Sequence, residues 1–195
     1  MARPKAFDTT DALDAAVGVF WARGYEATSV QDLVDALGVN RASLYATFGG
    51  KAQLFAAAMD RYSERVQAEI GAHLQPPRAG REAVAGYLGA LIAVATKPGA
   101  PGGCLVLNTA VGCTTAPPAL LARAAGTVRQ AEEKLYGALK RDPKLASRGD
   151  LRSLARFFAA QSHGLTVLAR TGAKAAQLNE AADIALRVLD ERPAP

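Results

Sequence analysis

The sequence predicts an all-α chain, and three observations carry that expectation. Apolar residues recur at i, i+3, i+4 and i+7 through nearly every long segment. Clusters of Pro and Gly fall between those segments, as at Gln75-Pro76-Pro77 and Lys97-Pro98-Gly99-Ala100-Pro101-Gly102-Gly103. One apolar run, Cys104 to Cys113 (CLVLNTAVGC), reads equally as strand or helix, but no second run exists to pair with it, so helix is preferred.

About nine helices are expected. The first spans Thr9 to Arg23, with Leu13, Ala16, Val17 and Phe20 inward and Gly24 ending it. The second carries Val30, Leu33, Val34 and Leu37 on one stripe, with Thr28 and Gln31 as its capping box and Gly38 as its stop. Asn40 caps a short third helix beginning at Arg41, which buries Leu44 and Phe48 on one side. That leaves Arg41, Ala42, Ser43, Tyr45 and Thr47 on or near the other side. Two short helices joined by a Gly-containing turn make a helix-turn-helix, whose second helix enters the major groove of DNA.

A fourth helix starts at Lys51 after Gly49-Gly50 and is expected to run to about His73, a length of about 35 Å. The fifth runs from about Gly80 to Thr96, the sixth covers the Cys104–Cys113 run, and the seventh covers about 118–141 with Pro in its first turn. The last two run from about Asp150 to Thr171 and about Ala175 to Glu191. In the eighth, Leu154, Phe158 and Leu165 lie on one face and Phe157, Gln161, Gly164 and Leu168 on another, which calls for two packing partners.

The first quarter of the chain resembles the TetR family of transcriptional regulators. The resemblance rests on Phe20, Gly24 and Tyr25, then Thr28-Ser29-Val30 with Asp32, then Leu37-Gly38-Val39, Asn40, Leu44-Tyr45, Phe48 and Lys51, in order and at the family's spacing. It implies an N-terminal three-helix DNA-binding domain over 1–50 and a C-terminal ligand-binding and dimerisation domain over 51–195. It also implies a homodimer that binds a palindromic operator and is released by a small molecule, with the fourth helix as the lever between the two parts. Many members carry a His- or Tyr-rich recognition segment where this chain has Ala46-Thr47, a departure that bears on which bases are read.

On that reading the DNA-binding candidates are Thr28, Arg41, Ala42, Ser43, Tyr45, Thr47 and Lys51. The Arg41 guanidinium matches the paired acceptors of guanine. Short Ala42 and Ser43 let the helix sit deep, while Tyr45 and Thr47 offer hydroxyls to phosphates. Thr28 lies at a helix N-terminus, where phosphates bind. Lys51 opens the fourth helix, where the helix dipole disfavours a cation, so an external anion is expected to compensate it. The basic arm with Arg3 and Lys5 reads as a solvated tail before a possible minor-groove contact.

An apolar or aromatic effector is expected. Its candidate lining is Tyr87, Leu91, Leu105 and Val111, with Tyr136, Phe157, Phe158 and Gln161. The candidate dimer interface takes Leu154, Phe158, Ala160, Gly164, Leu165 and Leu168 from the eighth helix, and Leu178, Ala182 and Leu186 from the ninth.

Charge alone does not point to DNA. The chain carries +5, yet residues 1–55 hold five Lys/Arg against six acids, a net −1. No apolar run reaches the roughly 18 residues of a membrane span, and the N-terminus lacks the apolar stretch of a secretory signal, so a cytoplasmic protein is expected. Two cysteines make no disulfide framework. On one helix they would lie about 13 Å apart on opposite sides, too far to bond. A redox- or electrophile-sensing repressor acting through Cys104 or Cys113 is the alternative, with Cys104 favoured by its helix N-terminus. His73 and His163 have no ligand-spaced neighbours, so no metal and no cofactor is expected. A helical enzyme is the rival from another class. It finds no Gly-rich phosphate loop, no HExxH, no GxSxG and no paired carboxylates on a helical face.

Overall fold

A computed structural model of the chain describes residues 8–190. The basic arm with Arg3 and Lys5, and Glu191 at the expected end of the last helix, lie outside the described residues. Among the described residues there are nine α-helices: α1 Thr9–Arg23, α2 Val30–Leu37, α3 Arg41–Phe48, α4 Lys51–Glu69, α5 Gly80–Ala95, α6 Leu105–Gly112, α7 Pro118–Lys140, α8 Leu151–Arg170 and α9 Ala175–Leu186. Two 3-10 turns, Gly71–Leu74 and Arg187–Leu189, follow α4 and α9. No helix among the described residues is long and apolar enough to cross a membrane.

These residues divide into two compact units. The first takes everything up to Arg65 together with Leu105–Ala125; the second takes Val66–Cys104 and Gly126 onward. Helices α4 and α7 each contribute to both.

In the first unit α1 packs on α2 and α2 on α3. Its centre is aromatic: the rings of Phe20 and Phe55 meet edge-on at 4.7 Å, and Tyr25 lies 5.0 Å from Phe55. Phe20, Leu33, Leu44, Leu54 and Phe55 are fully buried. Trp21 packs edge-on against Tyr62 at 5.2 Å, at the rim of this core. Asp8 caps α1 by accepting from the Thr10 N–H at 2.6 Å. Leu13 is only half-buried, and Ala12 takes its expected inward place.

The second unit is built on α5, which lies against α8 and α9. Leu88, Ile92, Leu135, Leu139 and Phe158 fill its core. Two helices end earlier than the sequence suggests. Helix α4 stops at Glu69 instead of running to about His73, and the chain tightens into a 3-10 turn. The residue before Pro76 is driven to extended backbone, and Gln75 adopts ψ 156°, so α-helix cannot continue through it. Arg141 donates to Leu74 O, a carbonyl left at the end of the turn, at 2.6 Å, and to Arg78 O in the loop beyond it at 3.1 Å. Helix α9 likewise ends at Leu186 and tightens into a 3-10 turn, a frequent way to finish a helix.

The capping of α2 differs by one residue from expectation. Ser29, not Thr28, is the N-cap, and Asp32, not Gln31, closes the box. The Asp32 N–H donates to Ser29 Oγ at 3.1 Å, and the Ser29 N–H donates to Asp32 Oδ2 at 2.7 Å. Ser29 immediately precedes the first helical residue, and a carboxylate accepts more strongly than an amide. Gln31 instead donates to Asp35 one turn on, at 2.8 Å.

Ser29→Ala is expected to lower stability by about 1 kcal/mol, the usual worth of an N-cap. Urea denaturation checks this: the midpoint should fall with an unchanged slope.

Candidate nucleic-acid interface

Helix α3 is short and presents two unlike faces. Asn40 starts it by accepting the Ser43 N–H at 2.8 Å, and Gly49 ends it in the left-handed region at φ 79°. Gly38 stops α2 in the same region at φ 64°, so the turn between them needs no side chain forced into a strained conformation. Leu44 is fully buried and Phe48 half-buried, which anchors one face. Arg41, Ala42, Tyr45 and Ala46 are exposed on the other, with Ser43 and Thr47 half-buried beside them. Tyr45 is 48% exposed.

Arg41 has no ion-pair or hydrogen-bond partner among the described residues, whereas the other described arginines of this unit are engaged. Arg23 pairs with Asp32 at 2.6 Å, and Arg61 grips Asp14 through Nε at 2.9 Å and Nη2 at 3.1 Å. Arg65 reaches Asp14 at 3.7 Å, and Arg123 pairs with Asp60.

Lys51 is held differently from expectation. Its Nζ lies 4.3 Å from the centre of the Tyr25 ring, so the ring's π-face offsets part of the dipole penalty that an anion was expected to relieve. Burial raises the Tyr25 phenol above its ordinary pKa, with Cys113 adding to it, so the ring stays neutral beneath the amine.

Thr28 does not face outward. It is fully buried, and its hydroxyl donates to Gly24 O at 2.6 Å, tying the end of α1 to the start of α2. Its place at the corner between two helices explains the difference: the hydroxyl satisfies a helix-end carbonyl that would otherwise be buried unpaired.

Glu26 was not legible from sequence spacing. It lies in the α1–α2 corner, and its Oε1 accepts the N–H of Thr114 at 2.7 Å, the Thr114 hydroxyl at 3.0 Å and the N–H of Thr115 at 2.8 Å. Those donors, above all the Thr114 and Thr115 N–H groups, pull the carboxyl pKa from 4.5 down to about 2.

The family comparisons agree with this geometry. The model for bacterial regulatory proteins of the tetR family matches residues 12–58, and that for the tetracyclin repressor-like C-terminal domain matches residues 80–185. The chain belongs to the TetR family. The HTH-type transcriptional repressor ComR of Escherichia coli (strain K12) is 36% identical, over 97% of this chain and 92% of that protein. An uncharacterized HTH-type transcriptional regulator of Bacillus subtilis (strain 168), YezE, is 32% identical over 97% of this chain and all of that one. The TetR-family regulator CifR, solved as a cysteine mutant with a 26-bp double-strand operator, superposes with a TM-score of 0.87 at 32% identity, covering 95% of this chain and 98% of that one. The protein is therefore a TetR-family transcriptional regulator and not an enzyme.

The candidates in the C-terminal part separate. Tyr87, Leu91 and Phe158 are buried in the second unit, and Tyr136, Phe157 and Gln161 are half-buried there. Tyr136 is covered by the Arg152 guanidinium at 3.8 Å. Leu105 is buried in the first unit. Val111 lines no interior: it is 75% exposed on α6. Periodicity placed it on an apolar run but could not show that α6 has one covered side.

The dimer candidates divide as well. Leu154, Phe158, Leu165, Leu178, Ala182 and Leu186 are buried in the core of a single chain, so they are not a free surface. Ala160, Gly164 and Leu168 are exposed. Cys104 and Cys113 flank α6, are half-buried, and form no disulfide. No three His, Cys, Asp or Glu side chains converge as metal ligands among the described residues.

The Glu26 contact carries a pH signature. A carboxyl whose folded pKa is depressed stabilises the fold fully above its ordinary pKa and loses that stabilisation as pH falls through the folded value. Between pH 5 and 2 the parent is expected to lose melting temperature by only a small margin more than Glu26→Gln, in thermal scans on both, because the ordinary and folded values are 4.5 and about 2 but solvent screens an exposed carboxylate.

Proposed function

We propose that this TetR-family regulator is a homodimeric repressor that binds a palindromic operator through α3 and is released by a small apolar or aromatic molecule. The observation that carries the DNA-binding part is Arg41, without a partner among the described residues, on the exposed face of a capped, anchored α3. The solved relative CifR, complexed with operator DNA, supports a DNA-binding role. In this reading Arg41 reads a base edge, and Ala42 and Ser43 allow close approach. Tyr45 and Thr47 reach phosphates, while Lys51, steadied by Tyr25, holds another. Thr28 acts through the backbone of the corner and not through its hydroxyl, which is already used.

Division by role follows residues 1–50 for DNA and 51–195 for ligand and dimer. It differs from division by compactness, since Leu105–Ala125 packs with the N-terminal helices. The effector would take a place among Tyr87, Leu91, Phe157 and Phe158, where Gln161 and the Tyr87–Ser162 hydroxyl pair supply polar groups to an otherwise apolar site. It shifts the dimer only by binding its two states unequally.

For the dimer, α8 offers a stripe at helical spacing: Ala160, Gly164, Val167 and Leu168, all exposed. Val167 and Leu168 are 48% and 49% exposed, and Ile184 on α9 is 62% exposed. The small residues let a second helix approach closely, and the large ones supply apolar area to cover.

Two measurements test the reading. In a gel-shift panel on genomic fragments, Lys51→Ala should weaken every sequence alike and lower the salt slope by about 1, whereas Arg41→Ala should cost about 1–3 kcal/mol and relax base preference. Equal base discrimination by Arg41→Ala and the parent removes the base-reading role. In sedimentation, Leu168→Glu should turn a dimer into a monomer without unfolding it and weaken binding to palindromic fragments far more than to half-sites. An unchanged dimer would move the interface elsewhere.

A further inference from the structure

We infer that Glu26 is a positioning residue for DNA recognition: its carboxylate, held by the loop after α6, fixes the α1–α2 corner from which the recognition helix is suspended. The inference rests on the DNA-binding reading above and adds a residue to it that does not touch DNA.

The grip is built from three donors on one loop. Two successive backbone N–H groups, of Thr114 and Thr115, converge on one oxygen of Glu26, and the Thr114 hydroxyl joins them. Successive N–H groups that converge in this way form a concave anion site. Its donors lie 88 and 89 residues away in sequence, so the contact ties the corner to a segment outside the DNA-binding helices.

The corner is short and stiff enough to pass a displacement on. Only Ala27 and Thr28 separate Glu26 from the α2 cap at Ser29, and Thr28 is bonded back to Gly24. Helix α2 in turn packs on α3. The same segment has a second hold on the unit, because Arg123 of α7 pairs with Asp60 of α4, and the next residue, Arg61, grips Asp14 of α1. Leu105–Ala125 therefore holds α4 and the α1–α2 corner directly, and α4 in turn holds α1 through Arg61.

Glu26 itself is exposed. An exposed charged contact adds little to global stability, so its main effect is on orientation. A specific site needs α3 held in register, whereas non-specific binding needs only charge.

The test uses the purified full chain with Glu26→Ala and Glu26→Gln. Hydrogen exchange is followed at residues 24–50 and 112–117. Affinity is measured for a fragment selected by the parent and for random-sequence DNA of equal length, both corrected for active fraction. Glu26→Ala should speed exchange across α2 and α3 as well as at 112–117. It should weaken the selected fragment by about tenfold, the scale of one well-made contact, and leave random DNA within about twofold. Glu26→Gln should fall between.

Faster exchange confined to 112–117 overturns the inference, as does unchanged affinity for the selected fragment. A uniform loss on both DNAs also overturns it, since that marks a stability or charge effect. If Glu26→Ala does not fold, Glu26→Gln and Thr114→Val are judged by the same criteria. If the parent selects no fragment, the DNA-binding reading fails by itself, and exchange across α2 and α3 decides the clasp.

Discussion

An eight-residue helix cannot hold itself in water, and α3 is eight residues long. Everything this protein presents to DNA depends on how that deficit is met. Leu44 supplies the single fully buried side chain of α3, inserted where Leu33, Phe20 and Phe55 are also fully buried. Asn40 and Gly49 close the two ends, each satisfying backbone groups that a short helix has in excess. With so few anchors, the outer residues are free of structural duty, and a charged side chain such as Arg41 is exposed there at little cost.

The near-neutral charge of the N-terminal part follows the same logic. Its acids are mostly occupied: Asp14 by Arg61 and Arg65, Asp32 by Ser29 and Arg23, Asp35 by Gln31, and Glu26 by Thr114 and Thr115. Those contacts brace helices against one another and leave Arg41 without a partner among the described residues. Net charge therefore says little about this surface, because the balance hides which charges are committed internally. Ion pairs of this exposure contribute about 0–1 kcal/mol each, so they orient more than they stabilise.

What could be read in the sequence was what depends on neighbours in the chain. The Asn40 cap, the Gly38 and Gly49 stops and the α2 stripe are all set within a few residues, and the helix-turn-helix was legible for that reason. The helical state of 105–112 was legible by elimination, for want of a partner strand. Contacts between distant residues were not: nothing near Glu26 announces Thr114, and nothing near Lys51 singles out the Tyr25 ring. Periodicity also cannot say which of two apolar faces a chain keeps for itself. In α8 the Leu154–Phe158–Leu165 face went to the chain's own core, leaving the face of Ala160, Gly164 and Leu168 outside. A one-residue ambiguity, Thr28 or Ser29, decided whether a hydroxyl faced solvent or sealed a corner.

That ambiguity has a mechanical consequence. Thr28 and Ser29 are adjacent, yet one bonds backward to α1 and the other forward into α2. The chain between the helices therefore has almost no slack, and the next two residues back, Ala27 and Glu26, lead directly to the loop after α6. Such a taut connection passes a displacement of the corner on to α2 and α3. A loose one would absorb a movement made elsewhere before it reached α3. The short corner, the buried hydroxyl and the gripped carboxylate are three parts of one arrangement, in which the recognition helix is weakly built itself and firmly held by others.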